Sequence, residues 1–217
     1  MAEQTDNHNP QAKLTLRRYL VNKYHASGPS DVMDCCQGSG LLWGVLRKEF
    51  PIDSYWGMDL KPKPGRLKLD SSRVLDQSGW TQNIIDIDTY GAPWKHWQAL
   101  LRNISQPTTV FMTIGQKVTG TVGKMSKGAI GAIGLGPLYA KLPPAFHVKL
   151  SARCVNYLLA MPYDNDIMII EAVEIESGSP NVRYVGVRLD PQKTSGCEAD
   201  TSNRPKRKQP NQEVTHV

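Results

Sequence analysis

A carboxylate and two glycines stand close together in the segment DCCQGSG. Asp34 ends an apolar run, and Gly38 and Gly40 follow before a second apolar stretch begins. Glycines at this spacing let the backbone turn sharply and approach a ligand closely. A dinucleotide fingerprint needs a third glycine where this chain has Trp43, and the acidic Asp34 favours a cationic ligand over a pyrophosphate. The segment therefore predicts a binding turn for a cationic cofactor.

Two later apolar runs also end in acidic residues. Asp59 ends the run SYWGMDL, where a carboxylate can accept hydrogen bonds from the two hydroxyls of a ribose. Asp70 and Ser71 follow a third run, and Asp70 can accept a hydrogen bond from the exocyclic amine of adenine. Taken singly, an aspartate at a strand end can instead be a turn or helix cap. S-adenosylmethionine carries a sulfonium, an ammonium, a ribose and an adenine but no phosphate. We predict that it is the cofactor and that its ligands are Asp34, Gly38, Gly40, Asp59, Asp70 and Ser71.

A fourth strand-like run ends in the letters IDIDTYGAP. Alternation places Asp86 and Asp88 on the same face of the strand, with Asp88 at its tip. A carboxylate and an adjacent backbone carbonyl there can accept hydrogen bonds from an exocyclic amine and turn the nitrogen lone pair toward a methyl group. Tyr90 is placed to stack on a flipped base. The alternative is an ordinary strand-to-helix turn with Pro93 in the first helical turn.

These segments need a scaffold that brings the strand ends together. Strands are predicted at 31–36, 54–60, 66–70, 83–88 and 108–114, and helices at 40–50, 93–103 and 145–160. Such alternation favours a parallel sheet with helices on both faces. The β-rich runs IMIIEAVEIES and VRYVGVRL, joined by GSPN, predict a hairpin that adds an antiparallel strand. The predicted fold class is α/β, a doubly wound mixed sheet of about seven strands with a C-terminal β-hairpin.

The polar ends of the chain flank one predicted domain. We expect a disordered arm at 1–12, a domain at 13–190 and a disordered basic tail at 191–217, because the ends lack apolar periodicity. No run approaches the roughly 20 apolar residues of a membrane span, and the N-terminus lacks the pattern of a signal peptide. A cytoplasmic protein is therefore expected. The four cysteines form no C-x-x-C pair, so neither a metal site nor a disulfide framework is predicted.

The net charge of +6 is unevenly distributed. Residues 116–153 contain no acidic residue and six basic ones, Lys117, Lys124, Lys127, Lys141, Lys149 and Arg153. A polyanion such as nucleic acid explains this cluster, and a solvated face is the alternative. The glycine-rich stretch 120–137 fits either a structural loop or a substrate lid, in which Lys117, Lys124 and Lys127 would meet phosphates.

Four segments resemble, in chain order, the motifs of class I S-adenosylmethionine-dependent methyltransferases: VMDCCQGSG, YWGMDL, LDSS and IDIDTYGAP. The resemblance covers about residues 30–190. The last segment is similar to the D-P-Y-G-S-P type sequence of tRNA guanine N2-dimethyltransferases, although Thr89 stands where proline is usual. The resemblance implies a Rossmann-like fold, methyl transfer to a nucleobase amine, and an RNA partner in preference to DNA. By that resemblance the catalytic residues are Asp88, Tyr90 and Pro93, and the substrate side includes Tyr90 and Gly91.

Other functions fit parts of the same pattern. A DNA amino-methyltransferase, a protein or small-molecule methyltransferase and a non-catalytic cofactor-binding module all keep the cofactor residues, and Thr89 favours the last of these. Trp94 and Trp97 have helical spacing, which predicts core packing rather than a platform for bases. His96 is not expected to be a catalytic base.

Overall fold

A computed structural model describes residues 9–89, 93–115, 131, 154–176 and 182–192. The strands are β1 (Asp31–Asp34), β2 (Ser54–Asp59), β3 (Leu67–Lys68), β4 (Ile84–Ile87), β5 (Thr108–Gly115), β6 (Ile167–Glu176) and β7 (Val182–Pro191). The helices are α1 (Pro10–His25), α2 (Leu41–Glu49), α3 (Ser71–Leu75) and α4 (Trp94–Asn103), and residues 154–160 are also helical. A short 3₁₀ turn spans Tyr163–Asn165.

The strands form a seven-stranded sheet in the order β3-β2-β1-β4-β5-β7-β6. Strands β1 to β5 pair in parallel, whereas β7 runs antiparallel to both β5 and β6. This mixed sheet confirms the predicted fold class, including the C-terminal hairpin of β6 and β7. Because parallel strands end at the same edge, the residues that follow β1, β2, β3 and β4 meet there.

Two apolar clusters cover the two faces of the sheet. Successive strand residues point to opposite faces, so Val32 packs with helices α1 and α2 whereas Met33 packs with α3 and α4. In the same way, Ile84 lies in the cluster with α1 and α2, and Ile85 lies in the cluster with α3 and α4. Trp94 and Trp97 are buried in the cluster on the α3–α4 face, at 4% and 0% exposed. Their predicted role in core packing is thereby confirmed.

Helix α1 is not among the elements predicted from the sequence. It begins at Pro10, inside the segment expected to be a disordered arm, and the side chain of Asn9 caps it by accepting a hydrogen bond from the Ala12 amide at 3.0 Å. The predicted boundary at residue 13 therefore falls within the helix. The apolar periodicity is weak because Lys13 and Arg17 share the buried side of the helix.

Several predictions concern residues outside the described ranges. They include the substrate residues Tyr90 and Gly91, the three lysines Lys117, Lys124 and Lys127, most of the helix at 145–160 and nearly all of the basic tail. In the described part of the chain, no helix has the length and hydropathy needed to span a membrane.

Candidate functional site

The turn between β1 and α2 depends on two glycines in the left-handed region. Gly38 has a φ of +49° and Gly40 a φ of +66°, values that other residues rarely adopt. The Gly40 amide donates to the Gln37 carbonyl at 2.6 Å, which closes the turn just before α2 begins. The chain therefore reverses direction sharply at the carboxyl edge of β1.

Asp59, at the end of β2, holds this turn. Its Oδ2 accepts a hydrogen bond from the Gly38 amide at 3.0 Å, and its Oδ1 accepts one from the Lys61 amide at 2.8 Å. A carboxylate oxygen can accept about two hydrogen bonds, so each oxygen retains one acceptor position beyond these contacts. This is what the two hydroxyls of a ribose require.

Arg66 lies across the same turn and was missed by the sequence analysis. Its Nη1 donates to the Gly38 carbonyl at 2.9 Å and its Nη2 to the Ser39 carbonyl at 2.7 Å. A β-carbon at Gly40 would stand 2.7 Å from Nη1, so a larger residue there would require the guanidinium of Arg66 to shift. No local pattern marks Arg66, because it lies in the loop between β2 and β3.

Asp34 is a buried carboxylate whose hydrogen-bond donors, among the described residues, are neutral. They are the Tyr55 hydroxyl at 2.8 Å and the Cys36 amide at 3.3 Å. Burial, followed by repulsion from Asp86, raises the pKa of Asp34 to about 7 despite the attraction of Arg17. A cationic ligand at this edge would favour the ionised form, as a sulfonium or ammonium group does.

Asp70 and Ser71 both have structural contacts at the start of α3. Asp70 Oδ1 accepts hydrogen bonds from the amide and the hydroxyl of Ser72, at 3.0 and 2.6 Å, and the hydroxyl contact lowers the pKa of Asp70. This is an N-cap arrangement, the structural alternative for an aspartate at a strand end. Its Oδ2 lies 3.6 Å from Nε of Arg73 and 3.8 Å from Nζ of Lys95.

Ser71 joins the end of β1 to α4. Its hydroxyl donates to the Cys35 carbonyl at 2.7 Å, and its oxygen lies 2.9 Å from Nε2 of His96. Because the hydroxyl has a single hydrogen, His96 must donate from Nε2. Burial lowers the pKa of His96, which keeps the ring neutral and leaves Nδ1 as a buried acceptor without a partner in the described part of the chain.

Asp86 is paired inside the domain through both of its carboxylate oxygens. Arg17 donates from Nε and Nη2 to the two carboxylate oxygens at 2.7 Å each, and Trp43 donates from its indole to Oδ2 at 2.7 Å. The side chains of Arg17 and Asp86 are both 2% exposed. Trp43, which occupies the position of a third glycine in dinucleotide-binding turns, is thus a hydrogen-bond donor to β4.

Asp88 follows β4 directly and is held by two residues that the sequence analysis did not identify. Lys13 donates from Nζ to Oδ1 at 2.8 Å and to Oδ2 at 2.7 Å, and the Thr113 hydroxyl donates to Oδ1 at 2.5 Å. Burial opposes ionisation, but the charges of Arg17 and Lys13 outweigh it and lower the pKa of Asp88. Among the described residues, Oδ1 accepts two hydrogen bonds and is saturated, whereas Oδ2 accepts one and retains one acceptor position.

Backbone hydrogen bonds join the ends of β1, β2 and β4, where predicted site residues lie, into one edge. The Cys35 amide donates to the Asp86 carbonyl at 2.9 Å, and the Gln37 amide donates to the Met58 carbonyl at 3.0 Å. Pro93 caps α4, and its carbonyl accepts a hydrogen bond from the Trp97 amide at 2.8 Å, which agrees with the structural alternative for this proline. The structure thus brings Asp34, Asp59 and Asp88 to one edge of the sheet.

No family model matches the sequence, and no curated protein matches it either. Solved structures match in fold. A structure of Trm1 from Pyrococcus horikoshii with S-adenosyl-L-methionine superposes with a TM-score of 0.58 and 15% identity over 85% of this chain, which spans 55% of that chain. The plantazolicin methyltransferase BamL, bound to SAH, gives a TM-score of 0.52 and 11% identity over 88% of this chain and 87% of its own. BpumL, another plantazolicin methyltransferase in complex with SAH, superposes with a TM-score of 0.52 and 13% identity. The match covers 85% of this chain and 86% of the BpumL chain.

The strand order, with its antiparallel β7, together with these matches defines the fold as that of the class I S-adenosylmethionine-dependent methyltransferases. The resemblance inferred from the sequence motifs is confirmed at the level of the fold. Identities of 11 to 15% show the fold but do not identify the methyl acceptor. The acceptor must be inferred from the residues at the carboxyl edge.

Proposed function

We propose that this chain transfers a methyl group from S-adenosylmethionine to an exocyclic amine of a nucleobase in RNA, with the N2 amine of guanine in tRNA as the leading acceptor. The observation that carries the proposal is the carboxyl edge of the sheet. There Asp34 lies beside the glycine turn, and Asp88 retains an open acceptor position.

The cofactor residues form a coherent set. Asp34 would attract the cationic groups, the turn at Gly38 and Gly40 would admit the ligand close to the backbone, and Asp59 would bind the ribose hydroxyls. Asp70 Oδ2 and Ser71 would lie at the adenine. S-adenosylmethionine supplies an electrophilic methyl group on sulfur and keeps the electron pair of the broken carbon–sulfur bond.

Asp88 would position the acceptor amine. Oδ2 accepts one N–H hydrogen bond, which fixes the nitrogen and directs its lone pair away from the carboxylate. A new nitrogen–carbon bond replaces one N–H bond during transfer. Because the pKa of Asp88 is lowered, the carboxylate is a weak base, and the released proton goes to solvent. Tyr90 would stack on the base, and Gly91 and Pro93 would complete the loop.

The case for RNA is supported by charge and by similarity. The acid-free segment 116–153, with Lys117, Lys124 and Lys127, provides the cations that a phosphate backbone attracts. The match to Trm1 agrees with the similarity of IDIDTYGAP to the tRNA guanine N2-dimethyltransferase sequence.

A peptide or small-molecule acceptor is the second candidate. The specific observation that favours it is the fold match to BamL and BpumL, two plantazolicin methyltransferases, with a TM-score of 0.52 for each. An enzyme of that kind would use the same cofactor residues and would have no need of the basic segment.

The test offers S-adenosylmethionine with a radiolabelled methyl group to separate pools of unmodified tRNA, other RNA, DNA, protein and a small-molecule extract. We expect label in tRNA, recovered as N2-methylguanosine after digestion. Label confined to DNA, to protein or to small molecules would overturn the RNA assignment. Binding of the cofactor without label in any pool would overturn the assignment of an enzyme.

A further inference from the structure

Two cations on α1 face two carboxylates at the end of β4. Lys13 contacts Asp88, and Arg17 contacts Asp86. Four residues of helix rise about 6 Å, and two residues of strand rise about 6.6 Å. The spacing of the cations along the helix therefore matches the spacing of the carboxylates along the strand. We call these four residues the ion-pair ladder.

The two ion pairs of the ladder differ in what they leave open. Arg17 and the Trp43 indole bind both oxygens of Asp86, and at 1% exposed this carboxylate is buried away from a ligand. Lys13 is 4% exposed, but the side chain of Asp88 remains 15% exposed. The inner pair is structural, whereas the outer pair lies at the edge where the acceptor must approach.

We propose that Lys13 is a positioning residue for the methyl acceptor, which it serves by holding both oxygens of Asp88. With Thr113 it saturates Oδ1, fixes the plane of the carboxylate and leaves the open position on Oδ2 for one N–H bond of the amine. This inference rests on the proposed function, because it assigns Lys13 a part in orienting that amine.

The groups around Asp88 explain how Lys13 favours its ionisation. Among the described residues, the charged or titratable groups near Asp88 are Arg17 and Lys13 from α1, of which Arg17 has the larger effect of charge, Asp86 from the end of β4 and Cys36 from the turn after β1. From β7, the centre of the Tyr184 ring lies 5.2 Å from Nζ of Lys13. Thr113, from β5, is a neutral donor. Arg17 is already bound to Asp86, so Lys13 is the cation whose hydrogen bonds go to Asp88 itself. Removing it would leave a nearly buried carboxylate whose remaining cation, Arg17, is hydrogen-bonded to Asp86 instead.

The test compares Lys13→Met with wild type in two measurements. The first follows the NMR chemical shift of the Asp88 carboxyl carbon as a function of pH, and it needs no methyl acceptor. The second separates kcat from KM for methyl transfer to unmodified tRNA across pH. We expect Lys13→Met to raise the pKa of Asp88 and so to move the acid limb of the kcat profile to higher pH. At neutral pH, kcat should fall by about tenfold or more because the amine is less well oriented. The affinity for the cofactor should not change.

Lys23→Met is the matched control, because Lys23 lies on the same helix but pairs with Glu171 away from the edge. It should keep the wild-type profile. Lys13→Gln, which retains a hydrogen-bond donor without the charge, is the second variant if Lys13→Met does not fold, and it should shift the carboxyl titration in the same direction.

An unchanged titration of Asp88 and an unchanged kcat profile in the Lys13 variants would overturn the inference and leave Lys13 a packing residue. If wild type binds S-adenosylmethionine but methylates no acceptor, the proposed function fails instead. The NMR titration still decides in that case whether Lys13 controls the charge of Asp88.

Discussion

Three carboxylates and two cations lie buried or nearly buried at the carboxyl edge, among the described residues. Arg17 and Lys13 bind Asp86 and Asp88, so Asp34 is left with the Tyr55 hydroxyl and the Cys36 amide as donors. A buried carboxylate without its own countercharge resists ionisation, which agrees with its raised pKa. The edge is therefore matched to a ligand that carries a positive charge.

Cofactor affinity should depend on pH through Asp34. Its pKa of about 7 is raised above the value in an unfolded chain, so a cation that requires the ionised form binds more tightly as pH rises through this range. We expect the Kd of S-adenosylmethionine to be about tenfold larger at about pH 6 than at about pH 8. Calorimetry at several pH values measures this dependence.

Asp34→Asn should bind the cofactor weakly at every pH and lose the dependence. Asp31→Asn is the matched control at the other end of β1 and should behave as wild type. A Kd that stays constant from acid to neutral pH in wild type would remove Asp34 from cofactor recognition.

At the scale of elements, α1 has two functions that its sequence does not reveal. It covers one face of β5, β6 and β7, and it supplies the cations of the ion-pair ladder. Its buried side mixes Leu16 and Leu20 with Lys13 and Arg17. The mixture is stable because each charge meets a carboxylate within hydrogen-bond distance.

Arg17→Met should strongly destabilise the fold. It leaves the buried Asp86 without its cation, and breaking such a pair from one side costs about 3 to 5 kcal/mol. Urea unfolding followed by circular dichroism measures the free energy of unfolding. Arg18→Met, at the neighbouring position, removes an exposed ion pair with Glu49 and should lower the free energy of unfolding far less. Equal losses in the two variants would contradict the structural role of the inner pair.

Gly186 sets how closely α1 approaches the sheet. A β-carbon there would stand 2.5 Å from Cδ1 of Leu20 and 3.2 Å from Cδ1 of Leu16. Gly186→Ala should therefore destabilise the protein by about 1 to 3 kcal/mol through overpacking.

Gly44→Ala is the control, because it should change the stability of the protein in the opposite direction. Gly44 lies within α2, and a β-carbon added there would have open space within 4 Å, so alanine should stabilise the helix by about 0.5 to 1 kcal/mol. Thermal unfolding of both variants checks the pair. A neutral result at Gly186 would mean that α1 moves away from β7 without cost.

At the scale of the whole molecule, local patterns predict the sheet but not its long-range pairs. The strand ends at Asp34, Asp59 and Asp88 follow from apolar runs and turn residues, which are local signals. The contact of Lys13 with Asp88 joins residues 75 positions apart, and that of Arg17 with Asp86 joins residues 69 apart. Such pairs leave no periodicity in the sequence, so the start of α1 resembles a polar arm.

The fold predicts where in the molecule a methyl group would be transferred. It does not predict which molecule accepts that group. Class I topology places the predicted cofactor residues at the carboxyl edge, and Trm1 and BamL share this fold. In our proposal, the acceptor is selected by the residues that follow β4 and by the basic segment. The assignment of RNA therefore depends on Asp88 and on charge rather than on the sheet.

The decisive measurement is the mass of nucleosides from unmodified tRNA incubated with S-adenosylmethionine that carries a deuterated methyl group. Wild type should yield deuterated N2-methylguanosine, and Asp88→Asn should yield about a hundredfold less while still binding the cofactor. Asp76→Asn, which alters an exposed carboxylate paired with Arg102, should match wild type. Cofactor binding by wild type without deuterium in any nucleoside, or full activity in Asp88→Asn, would contradict methyl transfer to a base at this edge.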